Sequence, residues 1–442
     1  MIAAVVTLVL LSLALGYSVL FKAGVYTADL AVTLVIVGAV SLFYWLTSQR
    51  THLAPPLPRW MRVVLVAIPC YLLFQLILLP LGVLTVLSPA RAQLTRSVAH
   101  ITPAVRSSPI SVDAPAAVLQ FVTVLCCIAL FLLLRDLSWR FSHRPWTPVI
   151  PLVVIAVFEG AVGMFQVFAG NPGAQAGGTY TNRDHFSGML EMVLPLAAVY
   201  GIAILRRATG RYSSPALPAL GACLLWGASA LILLGIIYSL SRMGFLDGLC
   251  VLFFVAALTV GPRLPSRKWR WSSIGVIGIA ILVMLVVLPP SQLIARFASL
   301  SSSNQAMSDD RIFTWRDTWP LISEYKWFGS GLGSFVSVFL KHQTTGMNMT
   351  AEFAHNDYLQ YIAEMGVIGF AIAAAFLMGV CGQLFRGILK LADEERRLLA
   401  IACAGSFFAI GLHSLVDFNL YIPANQMVLS WIAGVGSLNG LD

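Results

Sequence analysis

The sequence reads as an all-α polytopic membrane protein of about twelve transmembrane helices, and composition and apolar periodicity carry that reading. Of 442 residues, 58% are hydrophobic and 11% are charged, whereas a soluble domain carries roughly 25% charged residues. Mean hydropathy is +0.84. Apolar runs close to the ~20 residues that a membrane-crossing helix needs recur from one end of the chain to the other. The net charge of +9 suggests nucleic acid at first sight. The basic residues, however, are scattered in short loops between apolar runs, which is how positive charge orients a membrane protein.

Taken in order, the candidate spans cover residues 2–21, 27–47, 62–88, 116–134, 149–170, 187–205, 216–241, 243–262, 273–290, 358–385, 397–418 and 421–438. The first starts at Ile2 with no basic n-region and no small-residue cleavage site, so it reads as a span and not as a signal peptide. The loops at 48–62, 135–148, 206–215, 263–272 and 386–397 hold most of the Lys and Arg, in tracts such as Arg267-Lys268-Trp269-Arg270. The positive-inside rule makes these loops cytoplasmic, and an even number of spans puts both termini there too.

Three connections on the opposite face are longer: 89–115, 171–186 and 291–357. Only the last, between the ninth and tenth spans, is long enough for a small extramembrane layer. Within it Ile312, Trp315, Trp319 and Ile322 recur at helical spacing, which predicts an amphipathic helix on the membrane surface. Ser308, Asp309 and Asp310 supply its cap and first-turn carboxylates, and Pro320 should kink or end it. Gly329-Ser330-Gly331-Leu332-Gly333 then reads as a turn, although such glycines also expose amides to anions. All seven cysteines lie inside apolar runs without metal-ligand spacing, as packing residues do. With no 20–50-residue repeat and no low-complexity tail, residues 1–442 read as a single integral membrane domain.

The unusual polar residues gather on the non-cytoplasmic side. Arg183 lies at the mouth of the sixth span, and Arg242 at the turn between the seventh and eighth. Arg311 and Arg316 lie on the amphipathic helix, and His355 opens the tenth span. Arginine at membrane depth costs ~2.5–3.5 kcal/mol on insertion scales and usually marks a pathway or a bound anion. Its planar fork matches phosphate oxygens in pairs. Several arginines converging on one hollow therefore suggest a polyanionic lipid head group such as a diphosphate. The bland readings are a snorkelling Arg183, a helix-ending Arg242, a solvated Arg311 and a capping or surface His355; Arg316 faces away from Arg311 by helical geometry. His413 and Asp417, four apart, share one face and either pair or support the site. His185 beside Asp184 reads as a loop residue.

Other chemistries fit less well. The carboxylates lack metal-site clustering. There is no Gly-x-Ser-x-Gly elbow, no His-Glu-x-x-His and no P-loop lysine, so a nucleotide-driven motor is excluded. Glu159, Glu191 and Glu364 fall in or near spans and keep a transporter reading open, though no inverted repeat supports it.

Several motifs carry a family resemblance. His355-Asn356, nine residues, then Gly366-Val367-Ile368-Gly369 resembles the His-[Asn/Ser/Gln]-x9-Gly-x-x-Gly signature of bacterial O-antigen ligases. Arg242-Met243-Gly244-Phe245-Leu246, led by Ser239-Leu240-Ser241, is similar to their Arg-x3-Leu motif. Asp310-Arg311-Ile312-Phe313-Thr314-Trp315, running on to Gly329-Ser330-Gly331-Leu332-Gly333-Ser334-Phe335, resembles the Arg…Trp…Gly-x-Gly-x-Phe stretch of the wider ligase/polymerase superfamily. Gly178-Thr179-Tyr180 with Asn182-Arg183-Asp184-His185-Phe186 resembles its Gly-Thr-Phe-x-Asn-x-Asn-His region, with Tyr180 and Asp184 as departures. His413-Ser414-Leu415-Val416-Asp417 is also similar to a family pattern.

The resemblance spans roughly 150–435 and implies an enzyme: a metal-independent glycosyltransferase without cofactors in the bacterial inner membrane, its active site facing the periplasm. Its donor would be a glycan on undecaprenyl diphosphate and its acceptor a sugar hydroxyl of lipid A-core. His355 would be the base and Arg242 and Arg311 the groups that stabilise the leaving diphosphate. Arg183, Asn182, Asn356 and Arg316 would bind substrate, and the 291–357 loop would form part of the site. The nearest alternative is an O-antigen or exopolysaccharide polymerase of the same superfamily. Transfer to protein and a membrane transporter are further ones.

Overall fold

The computed structural model describes residues 2–47, 54–98, 105–171, 173–208, 216–260, 266–298, 310–344 and 351–438. Among them the only strand pairing is antiparallel Leu79–Pro80 against Ser107–Ser108. The remainder is helix and turn, as an apolar environment demands, because a helix satisfies its own backbone amides and carbonyls. In chain order the helices are α1 (Ile2–Leu20), α2 (Thr27–Thr47), α3 (Arg59–Leu76), α4 (Leu81–Leu87), α5 (Pro89–Ser97) and α6 (Ala114–Arg140). They continue with α7 (Ile150–Ala169), α8 (Arg183–Ala208), α9 (Ala216–Tyr238), α10 (Arg242–Val260), α11 (Arg267–Val287) and α12 (Ser291–Ala298). The last are α13 (Asp310–Glu324), α14 (Phe335–Phe339), α15 (Asp357–Lys390), α16 (Glu394–His413) and α17 (Pro423–Gly436).

Ten of these helices are long and apolar enough to cross a membrane, among the described residues: α1–α3, α6–α10, α15 and α16. The expected ninth span is a bent pair, in which α12 turns by 94° from the end of α11, at Pro289-Pro290, where proline removes the amides that would continue the helix. Counting it gives up to eleven. The expected third span is shorter than 62–88, because α3 stops at Leu76 and Ile77 is extended. The expected twelfth span is α17, only 14 residues long, or ~21 Å at 1.5 Å per residue. It is buried almost all round, with Trp431 wholly inside and its indole donating to the Pro148 carbonyl at 2.7 Å.

The basic tracts lie at one end of the bundle and the extra helices at the other. At the basic end, Arg206 and Arg207 of α8 pair with Glu394 and Glu395 of α16, at 2.7 and 3.4 Å. Tyr44 of α2 donates to Asp136 of α6, which also accepts from Arg140 and from the Ala54 amide. At the opposite end, α13 and α14 build a small satellite core. Leu321, Ile322 and Tyr325 pack with Phe335, Val338, Phe339, Ala354 and Ala363.

Helix α13 confirms the expected helical element. It runs through Pro320 to Glu324. Its inner side is Thr314, Asp317, Thr318 and Leu321, while Ile312 and Trp319 are 56% and 57% exposed. The predicted cap residues Ser308 and Asp309, and the Asp310 side chain, lie outside the described residues. Its Asp317 is buried and accepts from the Thr344 amide and hydroxyl at 2.7 and 2.9 Å. Burial pushes that carboxyl up, but the Thr344 donors and Arg316 outweigh it and hold it below the usual carboxylate range.

The feature that seats this layer is a break in α15. Gly366 adopts φ +63°, ψ 179°, a conformation that L side chains rarely adopt. The break is filled by the chain after α13. The Val367 and Ile368 amides donate to the Lys326 and Trp327 carbonyls at 2.9 and 3.3 Å. The Ser330 and Gly331 amides donate to the Ala363 and Glu364 carbonyls at 3.1 and 2.9 Å. The buried Glu364 carboxylate then accepts from the Gly333 and Phe335 amides at 2.7 and 2.8 Å, and from the Tyr421 hydroxyl. From α3, Gln75 donates to the Phe328 and Glu364 carbonyls at 2.7 and 2.9 Å.

A Cβ on Gly366 would overlap the Trp327 backbone, one on Gly329 the Glu364 backbone, and one on Gly369 the Tyr71 ring. Gly366→Ala is therefore expected to destabilise the protein by at least about 1–3 kcal/mol, read as a lower melting temperature in detergent. Gly382→Ala, in the same helix with nothing within 4 Å of an added Cβ, should be neutral or slightly stabilising. Equal melting of the two variants would contradict this account of the break.

Candidate active site

The site-bearing end of α8 is prepared by the chain before it. Gly178 has φ +58° and lets the backbone close over Glu159, whose carboxylate accepts from the Thr179 amide and hydroxyl, each at 2.8 Å. Tyr180 donates to Asn425, and Asn425 donates to the His185 carbonyl, at 3.0 and 3.1 Å. Asn182 accepts from the Asp184 amide at 2.8 Å, which makes it the cap of α8. Arg183 and Asp184 are thus fixed in the first turn, both half-buried, with Arg183 donating to Gln175.

Three other elements bring arginines to this turn. Arg242 opens α10, after Leu240 at φ +57° and with Ser241 accepting from the Gly244 amide at 3.2 Å. Arg311, in the first turn of α13, lies 3.5 Å from the Asp184 carboxylate. Arg296 comes from α12, which seats Leu293 and Phe297 against Ile237, Leu240, Phe245 and Leu249. Arg183 lies within Coulombic range of Asp184, Arg242, Arg296 and Arg311, and Arg296 within range of Asp184 and Arg242. Four guanidinium groups from four helices therefore gather round a single carboxylate. Like charges held this close favour the arrival of an anion, and forked donors favour phosphate oxygens.

His355 stands beside this cluster. Its backbone is left-handed, at φ +50°, a costly choice for a residue with a side chain. Its neighbours hold it there. Asn356 caps α15 by accepting from the Leu359 amide at 3.0 Å, and its side-chain amide donates to the Leu415 carbonyl at 2.8 Å. Asp357 is buried, its amide donates to the Ser414 carbonyl at 3.0 Å, and its carboxylate accepts from the Ser414 hydroxyl and the Leu420 amide at 2.7 and 3.1 Å. Trp315 of α13, one turn after Arg311, donates its indole N–H to the His355 carbonyl at 3.3 Å.

The imidazole of His355 is 35% exposed and meets Asp417 through Nδ1, 3.2 Å from Oδ1. The other Asp417 oxygen lies 3.7 Å from Nε2 of the buried His185. Both imidazoles stand edge-on to Phe418, at centroid distances of 4.5 and 4.8 Å, and Phe353 stacks on the same ring at 4.0 Å. Burial pushes the Asp417 carboxyl up, but His185, His355 and His413 together hold it well below the usual carboxylate range. A carboxylate that stays ionised at Nδ1 leaves Nε2 of His355 as the nitrogen able to take a proton.

Of the residues predicted from sequence, the structure brings together Arg183, Arg242, Arg311 and His355. Arg316 is not among them: it is exposed, 3.1 Å from Asp317 and 2.9 Å from the Thr344 hydroxyl. Asn182 and Asn356 act as helix caps. The expected His413–Asp417 partnership is not made, because α16 ends at His413 and the following turn swings Asp417 to His355 and His185. His413 instead pairs with Glu191 at 2.8 Å. The glycine-rich turn does not offer its amides to an outside anion, since Glu364 and Gln75 take them. Sequence reasoning missed Arg296, whose signal was the Leu293, Arg296, Phe297 spacing after Pro289-Pro290. It also missed Asp417 as the partner of His355.

Replacing Asp184 by Asn removes a carboxylate from among the guanidinium groups. It is expected to tighten binding of inorganic pyrophosphate several-fold at low salt, measured by titration calorimetry, with the gain shrinking as salt rises. Weaker binding would mean that Asp184 matters chiefly by holding Arg311 in place.

Residues 227–374 match the family model described as O-antigen ligase. The matched stretch contains Arg242, Arg296, Arg311 and His355, whereas Arg183 and Asp417 lie outside it. No curated protein matches the chain. The match is to an O-antigen ligase domain and is consistent with the O-antigen ligase/polymerase superfamily, a family that implies a ligase- or polymerase-type glycosyltransferase working on lipid-linked glycans.

Proposed function

We propose that the protein is an O-antigen ligase, transferring a glycan from undecaprenyl diphosphate to a sugar hydroxyl of lipid A-core at the periplasmic face of the inner membrane. The observation that supports this reading best is the juxtaposition of four arginines with the His355–Asp417 pair. The diphosphate lies among Arg183, Arg242, Arg296 and Arg311, which neutralise the charge that grows on the leaving oxygen. No metal ion takes part in that step. The acceptor hydroxyl attacks the anomeric carbon on the face opposite the diphosphate. A carbon–oxygen bond forms, the anomeric carbon–phosphate oxygen bond breaks, and the hydroxyl proton passes to Nε2 of His355. Undecaprenyl diphosphate leaves, and the anomeric centre is inverted.

Asp417 keeps the proton of the resting imidazole on Nδ1 and stabilises the imidazolium that forms. Residues 291–357 act as part of the site, since α12 and α13 supply Arg296 and Arg311. The prenyl chain has an apolar hollow of about 240 Å³, lined by Leu65, Phe131, Phe370, Phe376 and Leu429, and reaching Asp357 just beyond His355.

Purified protein, lipid-linked donor and lipid A-core test the reading. His355→Ala and Asp417→Asn are expected to lower kcat by about 10²–10⁴-fold with little change in donor KM. Arg242→Ala and Arg311→Ala should lower kcat, and Arg296→Ala should chiefly raise the donor KM. Arg316→Ala should stay within a few-fold of wild type. Wild-type rates in His355→Ala and Arg311→Ala would overturn the assigned roles. Transfer to a second lipid-linked glycan and not to lipid A-core would identify a polymerase using the same site.

A further inference from the structure

We propose that Glu191 of α8, Asp247 of α10 and His413 of α16 hold a divalent cation, Zn2+ or Mn2+, that ties these three helices together. All three side chains are buried, and one potential ligand atom from each lies within 4.8 Å of the others. Glu191 is already oriented by two donors, Nδ1 of His413 at 2.8 Å and the Ser187 hydroxyl. Asp247 is not: it is fully buried, and neither of its carboxylate oxygens has a hydrogen-bond partner. A carboxylate without a donor is among the costliest groups to bury. Here it faces a second carboxylate, and the one imidazole is committed to that second group. A proton on Asp247 would remove the charge and let one oxygen donate to Glu191, yet leave the other oxygen unmatched. A cation satisfies both.

The donor set narrows the choice. One imidazole nitrogen and two carboxylate oxygens suit Zn2+ or Mn2+ and are poor for a soft monovalent ion. The Ser187 hydroxyl on Glu191 is the kind of outer contact that fixes a ligating carboxylate. The backbone keeps the space open: any side chain at Gly244, one turn before Gly248 on α10, would overlap Ser187 and crowd Glu191. The site is distinct from the guanidinium cluster, whose arginines are half-exposed, and it stands whether or not the transfer reaction above is correct.

Metal content and melting temperature of tag-free, detergent-purified protein test this. Elemental analysis after exhaustive exchange into metal-free buffer is expected to find roughly one Zn or Mn per chain. Chelator treatment should lower the melting temperature by several degrees, and ZnCl2 or MnCl2 should restore it. Asp247→Asn should hold little metal and should not respond to chelator or added metal; surface histidines, unchanged in that variant, would not produce the difference. If Asp247→Asn does not fold, the wild-type metal content and its response to chelator decide alone. Wild-type protein that carries no metal and is not shifted by added Zn2+ or Mn2+ would overturn the proposal. Asp247→Asn melting above such metal-free wild type would identify the carboxylate as protonated.

Discussion

The arrangement rests on a broken helix whose exposed backbone groups are matched from outside. In an apolar bundle every freed amide or carbonyl must find a partner. At Gly366, α15 gives up its own ladder, and the chain from Lys326 to Phe335 takes its place. Glu364 fixes the exchange by gathering amides of the glycine-rich turn on one carboxylate. Gly329 and Gly366 are required because the two backbones run in contact there. Their tightness is what makes α13 a fixed part of the bundle instead of a loop above it, and so determines where Arg311 and Trp315 stand.

The same accounting separates structural charges from working ones. Glu159 and Glu364, which a sequence reader would assign to an ion path, are each spent on nearby amides and hydroxyls. That leaves little support for a transporter reading built on them. The arginines differ. Arg183, Arg242, Arg296 and Arg311 stand half-buried near Asp184. Buried groups that are matched hold a fold together, whereas half-buried groups with charge to spare recruit a ligand. The glycine turn, whose amides are taken by Glu364 and Gln75, fails that criterion, and the anion site we propose is the one at the mouth of α8.

Much of the fold was legible because hydropathy and length set the spans and the Lys/Arg loops set their alternation. Where the reading slipped, local rules met tertiary ones. Residues 77–88 are as apolar as a span, but Pro80 and the pairing with Ser107–Ser108 turn them aside. Ile312, Trp315, Trp319 and Ile322 have the spacing of one apolar stripe, yet the stripe is split, with Ile322 packed inward, Ile312 and Trp319 exposed, and Asp317 buried against Thr344. His413 and Asp417 have pairing distance only while the helix continues, and it does not. Motifs named Arg242, Arg311 and His355 as candidates for one site. Nothing in their spacing could report where they go, because the contacts that place them are long-range, as between Arg311 and Asp184 or between His355 and Asp417.

The strained residue shows why the imidazole belongs to a working site. A left-handed His355 persists only where its surroundings overdetermine it, and here each neighbour does part of that. Asn356 and Asp357 anchor it to the 414–420 turn, Trp315 takes its carbonyl, and Phe418 sits against its ring. Asp417 then engages Nδ1 and leaves Nε2 as the other nitrogen. Packing alone would be served as well by a glycine at this φ. A ring held at conformational cost, with one nitrogen committed to a carboxylate, fits the proton-transfer role we propose for it better than a packing role.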